Sequence, residues 1–206
     1  MEAVFVYRMD RKRDLLRLKM SAIAVIPATL DDLLQVDGKA ELLAGRIVKF
    51  MASGDGPSTV AFEIAVHLRE YAKALGRGKA YADGIGFAFP SPLMNGRQSF
   101  SPDAAFHLGP FPRNAMKFVT GSPTFAVEVR SESDRGPAAK RDMADKRDDY
   151  FEAGTLVVWD VDPDTETIYS YAANDPTNLI SFRKGDFAHA EPALPGWRLK
   201  VDDVFA

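Results

Sequence analysis

Three ionisable residues at distant positions could share one reaction: Asp103 after Ser101-Pro102, Glu128 inside the apolar run 125–129, and Lys146 in the polar segment that follows. A carboxylate in an apolar strand loses on the order of several kcal/mol of hydration unless a cation, a hydrogen-bond donor or a metal ion lies beside it. Glu128 therefore indicates either an ion pair inside the fold or a functional site.

Two carboxylates on neighbouring strands suit a hard cation such as Mg²⁺ or Mn²⁺, which takes carboxylate and water oxygens as ligands. A metal ion held by Asp103 and Glu128 would activate water and stabilise the charge that builds on a phosphodiester, with Lys146 positioning the nucleophile or neutralising that charge. Structural ion pairs are the alternative: Asp103 could cap a turn after Pro102, and Glu128 could pair with Arg130 or Lys146.

Glu128 and Lys146 must be positioned by a strand and the helix that follows it, and a second strand completes the unit. The sequence predicts a buried strand over 124–131, a helix from Gly136-Pro137 to Gly154 and a strand over 156–161, which form a βαβ unit with two parallel strands. Strand alternation places Glu128 and Arg130 on one face. Helical spacing turns Lys146 towards the sheet, although a competing phase would turn Arg147 inward.

The rest of the chain predicts short strands around these elements. We expect helices over 29–34 and from Ser58 or Thr59 to Leu75, a surface loop over 109–123 near the site, and strands over 40–43, 47–52, 79–82, 85–89, 99–108, 167–171, 179–182 and near 201–205. Asp103 falls on the strand 99–108. The expected fold class is α/β, a mixed β-sheet flanked by helices.

Composition limits the possible functions. The 206 residues include no cysteine and 46% hydrophobic residues, and the net charge is −3. Disulfides, thiolate metal sites and cysteine nucleophiles are excluded, and no apolar stretch approaches the roughly 20 residues that span a bilayer. We expect a cytoplasmic protein with no membrane partner. Residues 1–19 are interpreted as a basic tail or a mis-assigned start, and 20–206 as one domain.

Several segments, taken in order, resemble the Uma2 family, also called DUF820. They are 41–48 (ELLAGRIV), 101–106 (SPDAAF), 126–134 (AVEVRSESD), Lys146 four residues before Tyr150, 152–154 (EAG) and 158–163 (VWDVDP). The family is grouped with the PD-(D/E)XK nucleases. The resemblance implies a restriction endonuclease-like fold and Mg²⁺-dependent cleavage of DNA.

On this resemblance Asp103 and Glu128 are metal ligands, Lys146 is a displaced catalytic lysine and Glu41 is an auxiliary acid. The usual nuclease motif has lysine where this chain has Arg130, which stays protonated and is a poor base, so we expect Arg130 to bind a substrate phosphate. A catalytically degenerate module that binds nucleic acid or a protein partner is the alternative. A homodimer is also an open option.

Overall fold

The structure is a computed structural model that describes residues 26–205, so the predicted tail 1–19 lies outside the described residues. The described elements are α1 Leu30–Leu33, β1 Ala40–Leu43, β2 Arg46–Lys49, α2 Asp55–Leu75, β3 Lys79–Ala82, β4 Phe87–Ala88, β5 Ser99–Phe100, β6 Ala104–His107, β7 Val119–Thr120, β8 Phe125–Val129, α3 Gly136–Glu152, β9 Val157–Asp162, β10 Thr167–Ala172, β11 Asp175–Phe182, β12 Phe187–Ala188, β13 Leu199–Lys200 and a 3₁₀ turn Val201–Asp203.

A six-stranded mixed sheet forms the centre of the molecule, with strand order β11-β10-β9-β8-β6-β3. β8 and β9 are parallel and are joined by α3, whereas the other neighbours in this sheet are antiparallel. The predicted βαβ unit is therefore confirmed. Three smaller sheets accompany it: the β1-β2 hairpin, β5-β4-β7 and β12-β13.

The two faces of the central sheet carry separate apolar clusters. On one face, Ile64 and Leu68 of α2 pack with sheet residues such as Trp159 and with Trp197. On the other face, Tyr150 of α3 packs with residues that include Ala126 of β8. Because side chains alternate along β8, Glu128 shares the face of Ala126 and is directed towards α3.

The sequence placed Asp103 inside one long strand, and this was wrong. The segment 99–108 forms β5 and β6, which belong to different sheets, and Asp103 lies in the link between them. Pro102 has no N–H for a strand ladder, which favours a break at this point. The Asp103 N–H then donates to the Val127 carbonyl at 3.0 Å, so the link stays attached to β8.

Other boundaries also differ from the predictions. Helix α2 begins at Asp55, after the N-cap Gly54, about one turn earlier than expected. The segment 201–205 contains a 3₁₀ turn in place of a strand, and 109–123 contains β7. None of the residues 109–123, which were expected to lie near the site, lines the cleft described below.

In residues 26–205, no helix combines the length and the apolar character needed to cross a membrane.

Candidate active site

A cleft of about 730 Å³ lies between residues 48–53, which form the end of β2 and the segment after it, and residues 138–146 of α3. Its lining includes all four residues that the sequence predicted as catalytic, namely Glu41, Asp103, Glu128 and Lys146, together with Lys39. The expected convergence of these residues from distant parts of the chain is therefore present in the structure.

Asp103 is held at both carboxylate oxygens. Its Oδ2 accepts from the backbone N–H of Val129 at 2.7 Å, and its Oδ1 lies 2.5 Å from Nζ of Lys39. The same Nζ lies 2.7 Å from the half-exposed carboxylate of Asp83. Burial lowers the pKa of Lys39, but attraction by Asp103 and Glu128 outweighs this and raises it above the ordinary value. Lys39 is therefore a stable cation beside Asp103.

Glu128 is buried and contacts two donors on α3. Nζ of Lys146 lies 2.9 Å from its carboxylate, and the Tyr150 hydroxyl donates to its Oε1 at 2.6 Å. Burial raises the pKa of Glu128, Lys146 opposes this effect, and the like charges of Asp103 and Glu41 add to it, so that the pKa reaches about 7. At neutral pH the Glu128 carboxyl is thus poised between its charged and neutral forms.

Lys146 lies between two carboxylates, since its Nζ is 2.9 Å from Glu41 and 2.9 Å from Glu128. Burial lowers its pKa, but the attraction and hydrogen bonds of these two acids outweigh burial and raise the pKa above that of a free lysine. Lys146 therefore remains an ammonium ion at neutral pH. It can neutralise negative charge, whereas a role as a general base is not compatible with this environment.

Glu41 uses both oxygens inside the protein. Its Oε1 accepts from the Ser101 N–H at 2.9 Å and from Lys146, and its Oε2 lies 2.5 Å from Nη1 of Arg97. Burial raises its pKa, but Lys146 and Arg97 outweigh burial and lower it. An acid with these contacts positions Lys146, and this geometry favours that role over the direct metal or water contact expected of an auxiliary acid.

Arg97 connects this network to α3 and was not identified from the sequence. Its Nε lies 2.6 Å from Asp149, and Asn95 donates to the same carboxylate at 2.8 Å. Arg97 follows the Asn95-Gly96 turn, and no local pattern indicates that a side chain there reaches Glu41.

Lys39 and Tyr150 were also missed, although signals for both exist. Lys39 lies two residues before Glu41, a spacing that puts both side chains on one face of an extended segment. Tyr150 lies four residues after Lys146 on α3, so the two side chains are neighbours on the helix surface. The predicted inward phase of Lys146 is confirmed, while Arg147 lies with its guanidinium carbon 3.8 Å from the centre of the Tyr171 ring.

Arg130 shares the sheet face of Glu128 but does not line the cleft. It binds Asp160 with two hydrogen bonds of 2.7 and 2.8 Å and Asp162 with one of 3.2 Å. Its guanidinium also lies 5.2 Å from the centre of the Tyr169 ring. The alternative pairing of Arg130 with Glu128 is therefore not formed, and the end of β8 is instead linked to β9.

Asp103 and Glu128 are the carboxylates of the cleft that could hold a divalent cation. In the chain from 26 to 205 no three His, Cys, Asp or Glu side chains form a complete metal cage, but Mg²⁺ usually keeps several waters and needs only one or two carboxylates. Apart from half-exposed Asp83, the network has one more acid than cations: Glu41, Asp103, Glu128 and Asp149 against Lys39, Arg97 and Lys146. When Glu128 is ionised, this excess of acids leaves one net negative charge, which would favour a cation beside Asp103 and Glu128.

Comparison with protein families shows which family the chain belongs to. The Uma2 family model, described as "Putative restriction endonuclease", matches residues 27–202. The chain belongs to the Uma2 family. The resemblance noted from the segments 41–48, 101–106 and 126–134 is thereby confirmed.

Solved structures include an Uma2 relative with the same fold. A protein from Anabaena variabilis, described as a "putative nuclease belonging to DUF820", aligns with a TM-score of 0.67 and 18% sequence identity, covering 87% of this chain and 98% of that one. The predicted fold class, an α/β mixed sheet flanked by helices, is confirmed. Comparison with curated proteins finds no match.

Proposed function

We propose that this Uma2 protein is a Mg²⁺-dependent endonuclease that hydrolyses phosphodiester bonds of DNA. The observation that carries the proposal is the convergence of Asp103, Glu128 and Lys146 on one cleft, although they come from three separate segments of the chain. Family membership supports the nuclease class. A DNA substrate is consistent with our expectation of a cytoplasmic protein.

Asp103 and Glu128 would hold Mg²⁺ or Mn²⁺, which when bound lowers the pKa of water and stabilises negative charge on the phosphate. The Val129 N–H fixes the orientation of Asp103, and Tyr150 fixes that of Glu128. Lys146, held by Glu41, supplies a fixed positive charge for the oxyanion that develops on the phosphate. Lys39 supplies a second positive charge beside Asp103.

The predicted contact of Arg130 with a substrate phosphate stays a prediction. A phosphate would have to replace Asp160, which binds the guanidinium through two hydrogen bonds. The homodimer also stays a prediction.

The test is cleavage of supercoiled plasmid and circular single-stranded DNA with Mg²⁺ or Mn²⁺, comparing wild type with Asp103→Asn and Asp83→Asn. Asp83 is the matched control because it shares the Lys39 partner but does not line the cleft. We expect Asp103→Asn to lose at least about 100-fold in rate, since a metal ligand is removed, and Asp83→Asn to stay within a few-fold of wild type. Equal rates in the two variants would contradict the proposal.

A second candidate function is a degenerate nuclease-fold module that binds nucleic acid or a protein partner. The observation that favours it is that Lys39 and Lys146 already neutralise Asp103 and Glu128. Titration calorimetry with Mg²⁺ separates the two. If the protein is an enzyme, the wild-type protein should bind Mg²⁺. If it is a degenerate module in which Lys39 replaces the metal, only the Lys39→Met variant should bind Mg²⁺.

A further inference from the structure

The walls of the cleft differ in chemistry from its floor. The floor carries Asp103, Glu128 and the ammonium groups of Lys39 and Lys146. The walls above it combine apolar and polar residues: Val48, Phe50 and Met51 are the apolar ones on one side and Ala138, Ala139 and Met143 of α3 on the other, and polar residues such as Lys49 and Asp142 lie beside them. Such a cleft matches a ligand that is anionic at one end and apolar at the other.

Phe50 is the aromatic residue placed to contact such a ligand. The centre of its ring lies 5.4 Å from Nζ of Lys146 and 6.0 Å from Nζ of Lys39. The backbone N–H of Phe50 donates to the carbonyl of Lys39, the residue before β1, at 3.0 Å, so Phe50 is anchored next to the site.

The Phe50 side chain is partly exposed in the cleft. Phe50 is 39% exposed, and the neighbouring Met51 is 92% exposed. Among the aromatic pairs within residues 26–205, none includes Phe50. A half-exposed, unstacked ring directly above two ammonium groups suits a flat group joined to a phosphate.

We propose that Phe50 stacks on an unpaired nucleobase adjacent to the phosphate held at the cleft floor, and that single-stranded DNA is the preferred substrate. This inference rests on the proposed nuclease function and specifies its substrate class. The bases of an intact duplex are stacked on one another, so their faces are not accessible to a side chain, whereas unpaired bases can stack on an aromatic ring. Phe50 is thus a substrate-binding residue.

The experiment measures binding by fluorescence anisotropy in EDTA, where no metal-dependent cleavage occurs. The probes are a labelled oligothymidylate, the same oligonucleotide with abasic sites, and a hairpin duplex. The variants are Phe50→Ala, Phe50→Trp and the control Phe62→Ala, which removes a 60% exposed phenylalanine of α2 outside the cleft.

We expect Phe50→Ala to weaken oligothymidylate binding roughly tenfold or more and to leave the abasic affinity unchanged, because only a base can stack. Phe50→Trp and Phe62→Ala should bind like wild type, and wild type should prefer oligothymidylate to the duplex. If Phe50→Ala does not fold, quenching of Phe50→Trp fluorescence by oligothymidylate but not by the abasic probe decides the question.

The proposal is overturned if wild type binds abasic and base-bearing oligonucleotides equally, if Phe50→Ala binds oligothymidylate like wild type, or if the duplex binds more tightly. Failure here is distinct from failure of the nuclease function. DNA cleavage with Phe50-independent binding would leave the nuclease function standing, and Phe50-dependent binding without any cleavage would leave only the stacking site standing.

Discussion

At the scale of single residues, Glu128 determines the electrostatics of the cleft. It is buried, it accepts from Lys146 and Tyr150, and the nearby charges of Asp103 and Glu41 disfavour its ionisation. The result is a raised pKa of about 7 in the metal-free protein. Such values are common for acids at functional sites, where burial and like charges occur together.

This shift predicts a pH dependence of stability for the metal-free protein. The Glu128 pKa is raised from 4.5 to about 7, so the folded state holds a proton that the unfolded state releases between these values. The stabilising contribution is complete below about pH 4.5 and is lost as pH rises through 7. Between pH 5 and pH 8, the unfolding free energy of wild type should fall by on the order of 3 kcal/mol more than that of Glu128→Gln.

The measurement is urea unfolding in EDTA at several pH values, with Glu132→Gln as the control. Glu132 has a 96% exposed side chain just beyond β8, so its substitution should leave the wild-type pH profile unchanged. Parallel profiles for wild type and Glu128→Gln would show that the Glu128 pKa is not raised.

At the scale of elements, the β1-β2 hairpin brings Glu41 to the site by docking on the segment 95–99. The Ala44 N–H donates to the Gly96 carbonyl at 2.8 Å, and the Leu42 N–H donates to the Ser99 hydroxyl at 2.7 Å. Gly96 has φ +87°, a left-handed conformation that favours glycine. The turn therefore aligns Arg97 with Glu41.

Gly96→Ala tests this docking, with Gly84→Ala as the matched control. Both glycines have positive φ, +87° and +91°, but a Cβ at Gly96 would lie 2.9 Å from Cα of Ala44, whereas a Cβ at Gly84 meets no atom within 4 Å. Backbone strain should lower the unfolding free energy of both variants by about 1–2 kcal/mol. The clash with Ala44 should lower that of Gly96→Ala by roughly 1–3 kcal/mol more.

Thermal and urea unfolding measure the stability of the two glycine variants, and Mg²⁺ titration measures the site. Gly96→Ala should also weaken Mg²⁺ binding, because the hairpin that carries Glu41 must shift. Equal stability losses in the two variants would contradict the docking role of the turn.

At the scale of the whole molecule, the central sheet separates the larger apolar cluster from the candidate active site. The larger apolar cluster, in which Trp159 is tilted against Trp197 and meets Phe125 edge to face, lies on the α2 face. The ionic network around Glu128 lies on the α3 face. A substitution in the first cluster should therefore alter unfolding without altering the site.

Trp197→Ala is expected to cost about 3–5 kcal/mol of unfolding free energy, because a large buried side chain is removed from the cluster. Mg²⁺ affinity and cleavage rate, measured well below the melting temperature, should match wild type. Phe187→Ala, at a 61% exposed position, is the control and should change neither property by much. A loss of Mg²⁺ affinity in folded Trp197→Ala would show that the two faces are coupled.

Local patterns were sufficient to predict most elements and the approach of Lys146 to Glu128. Helix α3 begins at the predicted Gly136, and the alternation in β8 and the spacing in α3 correctly directed Glu128 and Lys146 towards each other. These features depend on periodicity and on the cost of burying a carboxylate, and both are encoded in neighbouring residues.

Partner choice across long sequence separations was decided only by the tertiary structure. Lys39 meets Asp103 from 64 positions away, and Arg97 meets Glu41 from 56 positions away. Periodicity states which face of an element is buried, but an ion pair requires two such faces to meet within about 4 Å. That distance depends on strand order and on the docking of the hairpin, which no local pattern of residues contains.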